Sequence, residues 1–308
     1  MCRFAPRGGP LLCRFAPRGG PLLCRFAPRG GPLLCGCGFP RVPCPVRESE
    51  AVPAQSGAFT IDSGDVSLAA YLARPAPSAA GGAGRHGLVL CHGFPSESND
   101  SAHSSRGFEE LADRLAADTG WVVLTFSFRG TSKSTGNFSL GGWLADLKAA
   151  TDALLATSGV DGAWLCGFAA GGGLAICAAG EDARVRGVAA FAAPADFGER
   201  ASDARGFVAQ ARAAGVIRDP NFPPDLEAWA RELREVRPLS LIGKIPPRPI
   251  LIVHGASDEV IQVLDARALA DAAGGEVELR VLAGAAHRLR HDPRAIAILI
   301  GWLDRQQF

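Results

Sequence analysis

The chain has 308 residues, 47% of them apolar and 20% charged, with 32 Lys and Arg against 31 Asp and Glu. A chain of this length and balance buries roughly three quarters of its unfolded surface, which excludes wholesale disorder. The near-neutral total hides a division: residues 1–44 carry seven Arg and no acid, so the remainder stands at 25 minus 31, or −6. An acidic body without a Lys/Arg stripe argues against nucleic acid as the main partner, and no run reaches the ~20 apolar residues of a membrane helix.

The N-terminal segment is a repeat. Residues 2–12, 13–23 and 24–34 are identical copies of CRFAPRGGPLL, and a fourth begins at Cys35 before diverging. Solenoid units run to about 20 residues or more, and two prolines and two glycines per period exclude a helix, including the right-handed coiled coil that an 11-residue period otherwise marks. The longest apolar stretch there, Leu-Leu between breakers, is too short for a secretory signal. Residues 1–52 therefore read as a disordered tail without a function of its own, a basic arm for acidic partners being the second reading. Six of the nine cysteines lie in this tail, and Cys35, Cys37 and Cys44 match no zinc spacing. The body, 53–308, holds only Cys91, Cys166 and Cys177, so a reduced, cytoplasmic setting is expected.

Along the body, residues 57–75 predict two strands around the turn Ser63-Gly64-Asp65, followed by a Pro/Ala/Gly linker to about 84. Short apolar runs at 87–91, 121–128, 163–168, 186–192, 249–254 and 277–282 predict further strands, and helical patterns occupy 102–118, 142–157, 170–179, 262–274 and 292–306. This alternation implies an α/β fold with a mostly parallel, twisted sheet and helices on both faces. One segment breaks the rhythm: about 195–245 offers no strand but two or three helical pieces, interrupted by Asp219-Pro220 and Pro223-Pro224. An insertion at the carboxyl edge of such a sheet sits where ligands bind, so a small helical cap is expected.

Functional groups in a parallel sheet gather just after its strands. The junctions read His92-Gly93-Phe94-Pro95, then Gly167-Phe168-Ala169-Ala170-Gly171, then Gly255-Ala256-Ser257-Asp258, then Gly284-Ala285-Ala286-His287. This ordered set, over about 57–306, resembles the α/β-hydrolase superfamily of serine hydrolase type, including esterases and serine aminopeptidases. The resemblance implies Asp258 as the acid, His287 as the base, the N–H groups of Phe94 and Ala170 as an oxyanion hole, and Gly167 and Gly171 as the glycines that let the elbow turn. The segment from Phe128-Arg129-Gly130-Thr131 to Ser134-Thr135-Gly136 is similar to the family's loop after its fourth strand.

The departure is at the nucleophile position, which holds Ala169. Loss of the nucleophile from a serine hydrolase lowers turnover by about 10⁶. Three functions follow: a hydrolase of carboxylic esters or amides by descent, with a degenerate triad; a non-catalytic protein binding a small ligand; or proton abstraction by His287 and Asp258 without a nucleophile. A small-molecule substrate or ligand is common to all, and no cofactor is expected, since no dinucleotide G-x-G-x-x-G comes after the first strand and no P-loop is present.

Competing readings attach to single residues. Asp258 is also suited to a turn or to capping the helix that follows. Cys166 belongs to a strand and is expected in the core. Ser96, Ser98, Ser104 and Ser105 follow the oxyanion loop as weak alternative nucleophiles. His92 is expected to brace its loop, Arg129 to bond backbone carbonyls, His254 to be packed in its strand, and His291 to lie at the surface or behind the site; these histidines lack an i, i+4 metal spacing.

Overall fold

The computed structural model describes residues 12–13, 22–23, 52–53, 55–76, 85–95 and 98–306, with the backbone alone over 12–13 and 22–23, at Arg85 and over 98–106. It divides into two units, Met1–Glu48 and Ser49–Phe308. In the first, Leu12–Cys13 pairs antiparallel with Leu22–Leu23. The rest of the expected tail, most of the linker to 84 and Ser96 lie outside the described residues.

The second unit is built on eight strands: β1 (Gly57–Ser63), β2 (Val66–Ala73), β3 (Arg85–Cys91), β4 (Val122–Phe126), β5 (Val160–Phe168), β6 (Val185–Phe191), β7 (Ile250–Gly255) and β8 (Val277–Leu282). Their order across the sheet is β8-β7-β6-β5-β3-β4-β2-β1. From β8 to β4 the pairing is parallel, and β2 and β1 extend it as an antiparallel meander. The helices are α1 (Ser98–Thr119), α2 (Leu140–Leu155), α3 (Ala170–Glu181), α4 (Gly198–Ser202), α5 (Ala204–Ala213), α6 (Leu226–Glu235), α7 (Pro238–Leu241), α8 (Val263–Ala272) and α9 (Pro293–Asp304).

Each central strand is apolar on both alternations because both of its faces are covered. All five residues of β4 and all six of β7 are buried. One face packs on α1 and α9 through Phe108, Leu115, Leu299 and Trp302. The other packs on α2, α3 and α8 through Trp143, Leu147, Leu174 and Leu269. The insertion between β6 and β7 forms α4 to α7 and a short 3₁₀ turn, more helical pieces than the two or three expected.

The chain leaves β3 toward β4 on one side of the sheet and takes up β5 on the other. Ligands bind beyond the carboxyl ends of strands at such a reversal. Here Cys91 of β3 stands in register with Gly167 of β5, so the segments that follow both strands emerge side by side.

Candidate active site

The elbow forms where β5 runs directly into α3. Ala169 sits between them at φ 50° and ψ −124°, a left-handed conformation for a non-glycine residue. Holding it there costs of order 1–3 kcal/mol, so the surroundings must fix it. They do so through its own amide, which donates to the Phe191 carbonyl at 2.7 Å, and through its carbonyl, which accepts from Gly172 N–H at 2.9 Å.

Close backbone approach explains the glycines. A Cβ on Gly167 would collide with the backbone of Gly171, and one on Gly171 with the carbonyl of His92. A Cβ on Gly93 would lie 2.7 Å from the Ala169 Cβ, which places the oxyanion-loop candidate against the elbow. Ala170 opens α3, where helix geometry leaves N–H groups without intrahelical partners. Among the described residues, neither the Ala170 nor the Phe94 N–H donates to a protein acceptor.

The loop after β3 is braced by His92, which is 4% exposed. Its Nδ1 donates to the Gly93 carbonyl at 2.7 Å, and its Nε2 accepts from the Phe128 amide at 3.2 Å. Both ring nitrogens are thus engaged with backbone. Burial pushes its pKa down to about 4, with the Gly93 carbonyl opposing and the Arg290 charge adding to the fall. Arg129 corrects the expectation of backbone carbonyl partners. Its guanidinium pairs with the fully buried Asp146 carboxylate, Nη2 to Oδ1 at 2.6 Å and Nε to Oδ1 at 3.0 Å, and its own amide donates to Oδ2 at 2.9 Å.

Asp258 and His287 come together from two loops. Asp258 follows β7 and His287 follows β8, which lie side by side in parallel. His287 Nδ1 is 2.8 Å from Asp258 Oδ2 and 3.1 Å from Oδ1. The Asp258 side chain is fully buried, while that of His287 is 23% exposed and turned to the cavity. Asp258 does not cap α8, whose N-cap is Gln262. Its Oδ1 instead accepts the amides of Val260 and Ile261, both at 2.9 Å. Burial acts to raise its pKa, but hydrogen bonds from His254, His287, Ile261 and Val260 overcome this and hold the carboxyl well below the usual carboxylate range.

His254 is packed, as expected of a strand residue, yet it also faces the acid. Its side chain is wholly buried, with Nε2 2.9 Å from the Ile261 carbonyl and 3.4 Å from Asp258 Oδ2. Burial lowers its pKa, and the hydrogen bonds to Asp258 and Ile261 with the charges of Asp258 and Asp265 more than reverse this, for a net rise. Strand position alone gave no sign of this contact, because it depends on the return of the loop 258–261.

Phe94, Ala169, Ala170 and His287 all line one cavity of about 760 Å³. The insertion contributes Phe197, Glu199, Arg200, Phe207, Gln210 and Leu233 to its wall. Phe94, Phe138 and Phe207 pack on one another with ring centroids 5.1 to 5.6 Å apart, an apolar wall that sequence spacing did not announce. Arg290 lies 4.8 Å over the Phe108 ring and bonds His291, and all three line the same cavity.

Cys166 is in the core, and burial drives the thiols of Cys91 and Cys166 upward and that of Cys177 to about 12, which disfavours any thiolate. The side chains of Ser98, Ser104 and Ser105 lie outside the described residues. Among those described, no group of three His, Cys, Asp or Glu is placed to hold a metal ion, and no helix is long and apolar enough to cross a membrane.

Comparison with known proteins agrees with this architecture. Est1E from Butyrivibrio proteoclasticus superposes with a TM-score of 0.60 at 20% identity, over 82% of this chain and 97% of that one. An esterase from Pyrococcus furiosus gives 0.58 at 20% identity, over 82% and 92%. The esterase domain of a Rhodothermus marinus protein gives 0.56 at 22% identity, over 82% and 96%. At such identities the likeness shows the fold. No curated protein matches the chain in sequence. The family model for the alpha/beta hydrolase fold matches residues 88–242, just over half of the sequence, and the chain accordingly belongs to that family.

Proposed function

We propose that this chain is, by descent, a hydrolase of carboxylic esters or amides whose site still binds and polarises the scissile carbonyl but has lost the acyl-enzyme step at Ala169. The observation that carries this reading is the Asp258–His287 pair, at 2.8 Å, opening onto the same cavity as an elbow that keeps its strained backbone and its glycines around an alanine. A serine at 169 would complete the family's triad.

In this reading the carbonyl oxygen lies against the N–H groups of Phe94 and Ala170, which are aimed at developing negative charge. With no hydroxyl at 169, only water can attack. His287 takes the proton of that water as its oxygen bonds to the carbonyl carbon, and the buried Asp258 carboxylate stabilises the imidazolium. Collapse of the tetrahedral adduct expels the leaving group, which receives the proton back from His287. Without its nucleophile a serine hydrolase retains about 10³ to 10⁴ over the uncatalysed rate. Slow hydrolysis without a covalent intermediate is therefore expected.

The cavity also favours ligand binding as a role in its own right. Its volume of about 760 Å³ falls within the few hundred to ~1,000 Å³ of small-molecule pockets.

The test is turnover of p-nitrophenyl butyrate by the natural chain and by Ala169→Ser. The natural chain should show no burst and no labelling by a fluorophosphonate, whereas Ala169→Ser should be labelled and gain about 10² or more in kcat/KM. A burst with labelling of the natural chain, or no gain from the serine, would overturn the proposal. Thermal shift with short carboxylates reads the binding role, since a ligand at 100 times its Kd adds about 2.7 kcal/mol of stability.

A further inference from the structure

We infer that His254 is a positioning residue for the acid–base pair: its Nε2–H, bonded to the Ile261 carbonyl and 3.4 Å from Asp258 Oδ2, holds that carboxylate and its turn in the orientation that grips His287 Nδ1. The inference rests on reading Asp258 and His287 as the working pair.

His254 lies in β7, fully buried, four residues before Asp258. The two groups facing its Nε2 are both acceptors, the Ile261 carbonyl at 2.9 Å and Asp258 Oδ2 at 3.4 Å. A ring nitrogen shared by two acceptors carries the proton, so the neutral ring is the Nε2–H tautomer. Nδ1 is buried without a partner among the described residues, which leaves Nε2 as the ring's polar attachment there.

The acid is held at both oxygens. Oδ1 is fixed by the amides of Val260 and Ile261, and Oδ2 bonds His287 Nδ1 at 2.8 Å while His254 Nε2 stands 3.4 Å away. The same Nε2–H ties Ile261, whose amide binds Oδ1, so one side chain fastens the carboxylate and the turn that carries it. The other charged group acting on His254 is Asp265 of α8, which accepts the Ala195 amide at 3.1 Å and is thereby fixed elsewhere. An apolar filler would pack the strand but would leave the Ile261 carbonyl without its donor and take the imidazole away from Oδ2. A carboxylate that can turn loses its hold on the imidazole, and a misplacement of about 1 Å in a working geometry can cost on the order of 10²-fold in rate.

The experiment uses ¹⁵N-labelled full-length protein at pH 8.5 and reads histidine ring protons by long-range ¹H–¹⁵N correlation. In the natural chain His254 should be the Nε2–H tautomer, and His287 should show a protected Nδ1–H signal. His254→Leu should lose the His287 signal to water exchange, and His254→Gln, whose amide offers a donor at the Nε2 position, should restore it. In the Ala169→Ser background, His254→Leu should lower kcat about tenfold with KM unchanged, and His254→Gln should recover most of it. An Nδ1–H tautomer at His254 in the natural chain overturns the inference without any variant, as does an unchanged His287 signal in folded His254→Leu. If Ala169→Ser shows no turnover, the reading of the site fails while the ring-proton spectra still decide the role of His254.

Discussion

At the scale of single residues, His92 couples the loop after β3 to the acidity of the medium. It is wrapped by the rings of Phe128 at 5.0 Å, Trp143 at 5.7 Å and Phe108 at 6.1 Å. Its pKa is about 4 in the fold against an ordinary value of 6.5. The native state therefore disfavours the charged form, and below pH 6.5 the unfolded chain binds more protons. The contribution of His92 is full above 6.5 and is lost as pH falls toward 4, about 3 kcal/mol in all. Asp258, held low, is lost only below the ordinary carboxylate value of ~3.9, and His254, held high, is already at full contribution below 6.5. Urea midpoints measured from pH 7 to 4.5 should fall, and the fall should be clearly shallower in His92→Gln. Equal slopes in both proteins would remove His92 as the cause. The same scale shows what the sequence could disclose. Gly167, Ala169, Gly171, Asp258 and His287 were legible because each lies at or shortly after the end of a strand, in the order that the family resemblance implies. The partnership of His254 with Asp258, and of Arg129 with Asp146, arises from loops folding back through space, and no spacing rule encodes it.

Among the elements, the junction of β5 with α3 carries the greatest tension between local and tertiary preference. Glycine inside a helix is ordinarily worse than alanine by about 1 kcal/mol, so Gly171 in the first turn of α3 invites replacement. Tertiary contact reverses that sign: the added Cβ would meet the His92 carbonyl, which is backbone held by β3 and cannot turn aside. Overpacking of this kind costs about 1–3 kcal/mol or more, and strand β3 lies on the other side of the clash. Gly171→Ala should therefore lower stability by about 2 kcal/mol, a fall in Tm of about 4–8 °C for a body of this size. Gly57, at the start of β1 with nothing within 4 Å of the added carbon, is the control and should change by less than about 0.5 kcal/mol as alanine. A Gly171→Ala protein as stable as the natural chain would mean that the elbow is not tightly packed. Element type was readable for the strands of the eight-stranded sheet because period and breakers agree, as in β8, expected and found over 277–282. Ends were less so: β5 begins at Val160 rather than 163, because Val160 and Asp161 are half-buried or exposed and carry no apolar alternation.

For the whole molecule, the charge division becomes a physical one. Unit Met1–Glu48 holds eight Arg and one Glu, or +7, and the remaining 24 basic and 30 acidic residues leave Ser49–Phe308 at −6. Both hydrophobic clusters draw on side chains between Val52 and Leu303, and the candidate site lies wholly in 92–291. The clusters described between Val52 and Leu303 supply buried apolar area of the kind that stability follows. A chain beginning at Ser49 should then melt within about 2 °C of the full chain, and in the Ala169→Ser background the two should hydrolyse p-nitrophenyl butyrate alike. Their surfaces should differ sharply. At pH 7.5 the full chain, with a net charge near +1, should pass through an anion-exchange column that retains the −6 body. Retention of both at the same salt would show that the tail's arginines are neutralised within the fold. A drop in Tm beyond about 5 °C on truncation would mean that the repeat packs on the body and contributes to its stability.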